Sequence, residues 1–143
     1  MLVAQILKAK GEAVFTIGTE ESMAAAAALL HARKVGAMVV LGKDGEVAGI
    51  LSERDLVRVI AELGAEALSR PVAGSMTREV IFAAPEETVD VLLARMTDRR
   101  VRHLPVRNAG SLAGIVSIGD LVKAKIAETQ AEVEGLRAYI GAA

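Results

Sequence analysis

The 143-residue sequence predicts an α/β fold built from two copies of one strand-helix-strand-strand-helix unit. Three observations lead there. A heptapeptide occurs twice, Gly49-Ile50-Leu51-Ser52-Glu53-Arg54-Asp55 returning as Gly114-Ile115-Val116-Ser117-Ile118-Gly119-Asp120, 65 positions later. Each copy follows an apolar run and a turn signal and opens a helix-like apolar stretch. Units of about 60 residues are marginal alone, so the two copies are expected to share a core.

The first copy spans residues 11–63. Ala13 to Ile17 is extended, and Thr19-Glu20-Glu21 reads as a helix start with its acids complementing the dipole. An alanine-rich helix runs to about Lys34. Ala37 to Leu41 is a buried strand, Gly42-Lys43-Asp44-Gly45 a hairpin turn, and Val47 to Leu51 the returning strand. Ser52 starts a second helix that Gly64 closes. Residues 64–76, with Pro71 and Gly74, form a linker.

The second copy spans 76–128 and repeats the order. Val80-Ile81-Phe82 is extended, and Pro85-Glu86-Glu87-Thr88 opens a helix. His103 to Val106 and Leu112 to Val116 are strands around an Asn108-Ala109-Gly110 turn, and Ser117 starts a helix. Val40 precedes Val106 by 66 positions, whereas Gly45 precedes Gly110 by 65. The copies therefore differ by one deletion, placed in the hairpin turn, where deletions are tolerated. Residues 129–143 continue an amphipathic helix through Val133, Leu136 and Ile140.

Composition narrows the function classes. The net charge of −1 offers no basic field for nucleic acid. No apolar stretch approaches the ~18 residues of a membrane span, and Met1 to Lys10 carries no export signal. The absence of cysteine fits a cytoplasmic setting. At 52% the apolar content exceeds what so small a core holds, which points to a face buried in a partner. With two histidines, His31 and His103, a zinc site is not expected. Neither a hydrolase elbow nor a Gly-rich phosphate loop is present. Glu86-Glu87 reads as dipole complement, and the four arginines from Arg95 to Arg102 as a mostly solvated helix end.

The repeated Ser-x-x-Asp has two readings. It is a capping box, in which the hydroxyl accepts from an early helix N–H and the acid accepts from the Ser N–H. It is also one hydroxyl and one carboxylate at a strand-to-helix junction, beside the free N–H groups of a helix start. Arg102-His103, just before Leu104-Pro105-Val106, would supply charge-assisted donors to a phosphate.

On these residues the chain resembles the cystathionine beta-synthase (CBS) domain family, across residues 11–63 and 76–128. More narrowly, Ser-Glu-Arg-Asp, Arg-His-Leu-Pro-Val and Ser-Ile-Gly-Asp resemble the small stand-alone CBS-pair proteins of bacteria and organelles. The resemblance implies a tandem of β-α-β-β-α repeats paired as one pseudo-two-fold Bateman module. It implies a non-enzymatic sensor of adenine nucleotides (AMP, ADP, ATP or NAD(H)) that acts as a homodimer and signals to a partner protein; a CBS-fold oligomerisation scaffold without ligand is the alternative. It further implies two composite clefts. One takes Asp120, Ser117 and Ile115 with Arg102, His103, Thr19, Val35 and Gly36. The other takes Asp55, Ser52 and Ile50 with Arg54, Val80, Ile81, Phe82 and Val101. Gly36-Ala37 stands where the second copy has Arg102-His103, and Pro85 where the first has Thr19, so the Asp120 cleft is expected to be the better phosphate site. No metal or catalytic residue is expected.

Overall fold

The computed structural model describes residues 1–11 and 14–142. The chain divides into two compact units, Ala13–Ile81 and Met1–Glu12 with Phe82–Ala143.

In the first unit, β1 (Thr16–Gly18), β2 (Ala37–Leu41) and β3 (Val47–Ser52) form a sheet in that order, β1 parallel and β3 antiparallel to β2. The expected strand from Ala13 begins later, at Thr16, and Ala13 itself lies outside the described residues. Helix α2 (Met23–Arg33) starts three to four residues after the expected Thr19-Glu20, because Ser22 is the better cap: its hydroxyl accepts from the Ala25 N–H at 3.1 Å. Helix α3 (Glu53–Leu63) starts after Ser52 and ends at Gly64, as its sequence signals require. Met23, Leu30, Met38, Val40, Leu51 and Val59 form the core. Each fully buried side chain of this size contributes about 1.5–3 kcal/mol.

The stretch expected to be a linker belongs to this core. It makes two 3-10 turns, Gly64–Ser69 and Val72–Gly74, and buries Ala67, Val72 and Met76. Thr77 then pairs with Ile50 through both backbone groups, at 2.9 and 3.0 Å.

The second unit has α4 (Val89–Arg99), the antiparallel hairpin β4 (His103–Asn108) and β5 (Ser111–Ser117), and α5 (Ile118–Ala142). Helix α4 opens at Val89 behind an N-cap Thr88, not at Pro85. The hairpin carries the same register shift as its twin: Leu41 faces Val47 after Val40 faces Gly49, and Arg107 faces Leu112 after Val106 faces Gly114. The expected deletion therefore falls inside the turn. Ala109 (φ 52°) and Gly110 (φ 82°) make the shortened turn left-handed, as a two-residue hairpin loop requires.

Val80-Ile81-Phe82 does not form a strand. Its place is taken by a single parallel bridge, with the Ala83 N–H bonded to the Pro105 carbonyl and the Arg107 N–H to the Ala83 carbonyl, both at 2.9 Å. Prolines stop the ladder on both sides. Extending it backward requires an N–H from Pro105, and extending it forward requires one from Pro85; neither has one. In the first unit Thr19 stands where Pro85 does and donates to Leu41 O at 3.2 Å.

The N-terminal residues fold as α1 (Val3–Lys10), burying Val3, Ile6 and Leu7 in the second unit. Thus the segment preceding the first copy covers the second, and the segment preceding the second covers the first. Both motif glycines exist for this contact: a Cβ on Gly114 would lie 2.6 Å from Leu7 Cδ2, and one on Gly49 2.7 Å from Thr77 O.

Candidate functional site

Ser-x-x-Asp is a capping box in both copies. The Ser117 N–H donates to Asp120 Oδ2 at 2.8 Å and the Asp120 N–H to Ser117 Oγ at 3.1 Å. The Ser52 N–H donates to Asp55 Oδ2 at 2.9 Å and the Asp55 N–H to Ser52 Oγ at 3.3 Å. Each carboxylate is thereby fixed where a strand turns into a helix.

Each carboxylate also holds a cation. Lys10 Nζ lies 2.6 Å from Asp120 Oδ2 and donates to Ile115 O at 2.8 Å. Arg58 lies 3.4 Å from Asp55 Oδ1 and donates to Ser75 O at 3.2 Å. Burial opposes ionisation of Asp120, but the bonds from Lys10 and Ser117 outweigh it and hold the carboxyl below its ordinary value. Lys10 was not among the residues singled out from sequence. The spacing of Val3, Ile6 and Leu7, with Lys8 and Lys10 in the last turn, is the helical signal that could have found α1, though not its partner.

The second unit brings five of the predicted residues together. His103 faces Ser117 across the β4–β5 pair, and Arg102 O accepts the Ile118 N–H at 2.8 Å, so the basic pair is held beside the motif. Ile115 faces Pro105 on the same hairpin. The Arg102 side chain is exposed and His103 half-buried. The first unit repeats the arrangement without the charges: Ala37 faces Ser52, and Gly36 O accepts the Glu53 N–H at 3.0 Å. Val35, Gly36 and Glu53 line a groove of ≈ 690 Å³ with His31, Leu56 and Val57.

Other predicted residues are spread out. Thr19 sits beside Leu41, at the far end of β2 from Val35-Gly36; five strand residues place them about 17 Å apart. It lines a different, shallower hollow with Gly42 and Ala48. Ile50 spends both backbone groups on Thr77. Arg54 is exposed, while Val80, Ile81 and Val101 are half-buried. Arg107 stands 3.8 Å from the ring centroid of Phe82, covering one face of it.

The arginine run is mostly solvated, with Arg99, Arg100 and Arg102 exposed, but Arg95 is half-buried. Arg95 forms a bidentate pair with Glu87 and also donates to Phe82 O at 3.1 Å. Glu87 precedes α4 instead of complementing its dipole. The Arg95 bond holds its carboxyl below the ordinary value against the opposing effect of burial. Among the described residues no cluster of His, Asp and Glu suits a metal ion, and no helix is long and apolar enough to cross a membrane.

The family model for the CBS domain matches residues 10–62 and again 71–127. A mitochondrial CBS domain-containing protein of Arabidopsis thaliana, CBSX3, is 35% identical over 96% of this chain and 71% of its own length. The crystal structure of the CBS-domain containing protein ATU1752 from Agrobacterium tumefaciens superposes with a TM-score of 0.85 at 47% identity, covering 87% of this chain and 92% of that one. A CBS domain protein from Pyrobaculum aerophilum, PAE2072, solved in complex with AMP, shares the fold at a TM-score of 0.75 and 24% identity, covering 84% of this chain and 89% of the other. Two matched domains, a twice-occurring Gly-x-x-Ser-x-x-Asp junction and these likenesses lead to one conclusion: the chain belongs to the CBS domain family and carries the domain in tandem.

Proposed function

We propose that this chain is a non-enzymatic regulatory module that binds an adenine nucleotide, with the Asp120 junction as its main contact. The observation that carries the reading is the Asp120 carboxylate, fixed by the Ser117 N–H where β5 turns into α5, with the backbone of Arg102 and His103 paired alongside that junction. A fixed carboxylate accepts from the vicinal hydroxyls of a ribose. A guanidinium and an imidazole beside a helix start supply donors to a phosphate. The Asp55 junction has Gly36 in place of the basic pair, so it is the weaker candidate, with Arg54 and Arg58 as its nearest cations. The AMP complex of PAE2072 supports the ligand class through the shared fold. NAD(H) remains within the same class, since it offers the same ribose and phosphate. Signalling follows from differential binding: the nucleotide favours one geometry, and a partner protein reads it. A homodimer and a cytoplasmic setting belong to the same proposal, beside a relative whose name places it in mitochondria.

A thermal-shift series with AMP, ADP, ATP, NAD and S-adenosylmethionine tests this on protein freed of carried-over nucleotide. Ligand at about 100 times its dissociation constant stabilises by about 2.7 kcal/mol, roughly 5–11 °C for a chain of this length. Calorimetry should show Asp120→Asn weakening binding more than Asp55→Asn. Because Lys10 also bonds Asp120, Asp120→Asn lowers apo stability as well; Arg95→Ala, destabilised elsewhere in the unit, is the control and should retain binding. No shift with any nucleotide would favour the oligomerisation scaffold, and the reverse order of the two Asp variants would move the site to Asp55.

A further inference from the structure

Helix α5 outruns the unit that holds it. Leu121 and Ala124 are buried, yet every residue from Thr129 to Gly141 is exposed. A helix of that length without packing is marginal in water, and Gly135 in its middle weakens it further. Apart from Tyr139, the exposed large apolar residues on it are ordered. Val122, Ile126, Val133, Leu136 and Ile140, with Thr129 between them, recur at alternating steps of four and three, the 3.5-residue period of a coiled-coil seam. Three of them are strongly exposed: Ile126 at 53%, Leu136 at 62% and Ile140 at 66%.

The seam also carries orientation and number. Ile126, Val133 and Ile140 take the a positions, all β-branched. Leu136 takes a d position, as do Val122 and Thr129, so the last heptad alone has Leu at d. β-Branched a residues with Leu at d favour two parallel strands. The flanks agree, since Glu132 at g and Arg137 at the following e bring opposite charges together across a parallel pair. Of the other two basic flank residues in this part, Lys123 at e and Lys125 at g, Lys125 is already held by Asp90 at 2.9 Å. Gly135 and Gly141 fall outside the seam, at c and b.

We propose that residues 122–140 pair with the same segment of a second copy as a short parallel two-stranded coiled coil. This deepens the homodimer reading and rests on it, because fewer than three heptads do not sustain a coiled coil alone; the seam adds to contacts made elsewhere on the dimer.

The chain has no cysteine, so single introduced thiols report without background. Under mild oxidation Leu136→Cys, at d, should cross-link to a disulfide-bonded dimer, while Ala138→Cys, on the opposite face at f, should not. Leu136→Glu with Ile140→Glu should weaken dimerisation by at least about tenfold in light-scattering titrations, with far-UV dichroism confirming a folded chain. Four outcomes would overturn the proposal. A wild-type monomer at micromolar concentration removes both dimer and seam. A dimer unaffected by the double Glu variant and uncross-linked by Leu136→Cys removes the seam and leaves the dimer. Equal cross-linking of both thiols means random collision. A wild-type monomer whose α5 instead binds a different protein makes the face heterotypic.

Discussion

Replacing Lys10 by Met keeps the aliphatic stem of the side chain and removes its ammonium. In the folded chain that ammonium sits 2.6 Å from Asp120 Oδ2 and 2.8 Å from Ile115 O. The side chains of the pair are 35% and 25% exposed. A fully exposed ion pair is worth about 0.2–1 kcal/mol, and the second, charge-assisted bond to a carbonyl adds about as much. The expected loss is therefore about 1–2 kcal/mol, or roughly 2–8 °C in melting temperature. The pH dependence is the sharper test. Asp120 titrates below its ordinary value in the fold, so the stability it contributes is fully present above its unfolded pKa of about 3.9. That stability is lost as pH falls through the lower folded value. The gap between wild type and Lys10→Met should thus be full at neutral pH and narrow in acid to what the Ile115 O bond contributes, once Asp120 is protonated in both. Urea unfolding across the acid range reads it directly. A gap that does not change with pH, or no gap at neutral pH, refutes the account. In a cycle with Asp120→Asn, the coupling energy should be about 0.5–1 kcal/mol or more.

Gly49→Ala and Gly114→Ala should differ in cost although the glycines are equivalent by repeat. At Gly49 the new Cβ meets the Thr77 carbonyl at 2.7 Å, backbone that is itself paired; at Gly114 it meets the end of the Leu7 side chain, which can shift. Denaturant midpoints should place Gly49→Ala about 2–3 kcal/mol below wild type and Gly114→Ala nearer 1, and the opposite order would be inconsistent with this packing. Arg95→Ala breaks the pair with Glu87 and the bond to Phe82 O, at an expected cost of about 2 kcal/mol near neutral pH. Glu87 is held below its ordinary value, so this difference should also shrink as the carboxyl protonates in acid; a loss that persists there would mean that packing, not the ion pair, was removed. Ser52→Ala should cost about 1 kcal/mol through the lost cap of α3, measurable by the same unfolding curves.

The sequence by itself determined what lies within a few residues along the chain. Ser52 with Asp55 and Ser117 with Asp120 are capping boxes because donor and acceptor are three residues apart, which a helix start always brings within reach. The Asp44-Gly45 and Ala109-Gly110 turns, the deletion between them and the end of α3 at Gly64 follow from equally local rules. The missing strand before α4 was legible in principle, since Pro85 and Pro105 lack the N–H groups its ladder needs. Only the tertiary structure decided which distant group meets each carboxylate. Lys10 reaches Asp120 across 110 positions because α1 packs on the second unit. It likewise decided that the stretch between the copies is core and that Thr19 and Gly36 stand at opposite ends of β2. It also decided that Arg95 pairs with Glu87. These pairings depend on the path the chain takes once apolar faces are buried, and no spacing in the sequence records that path.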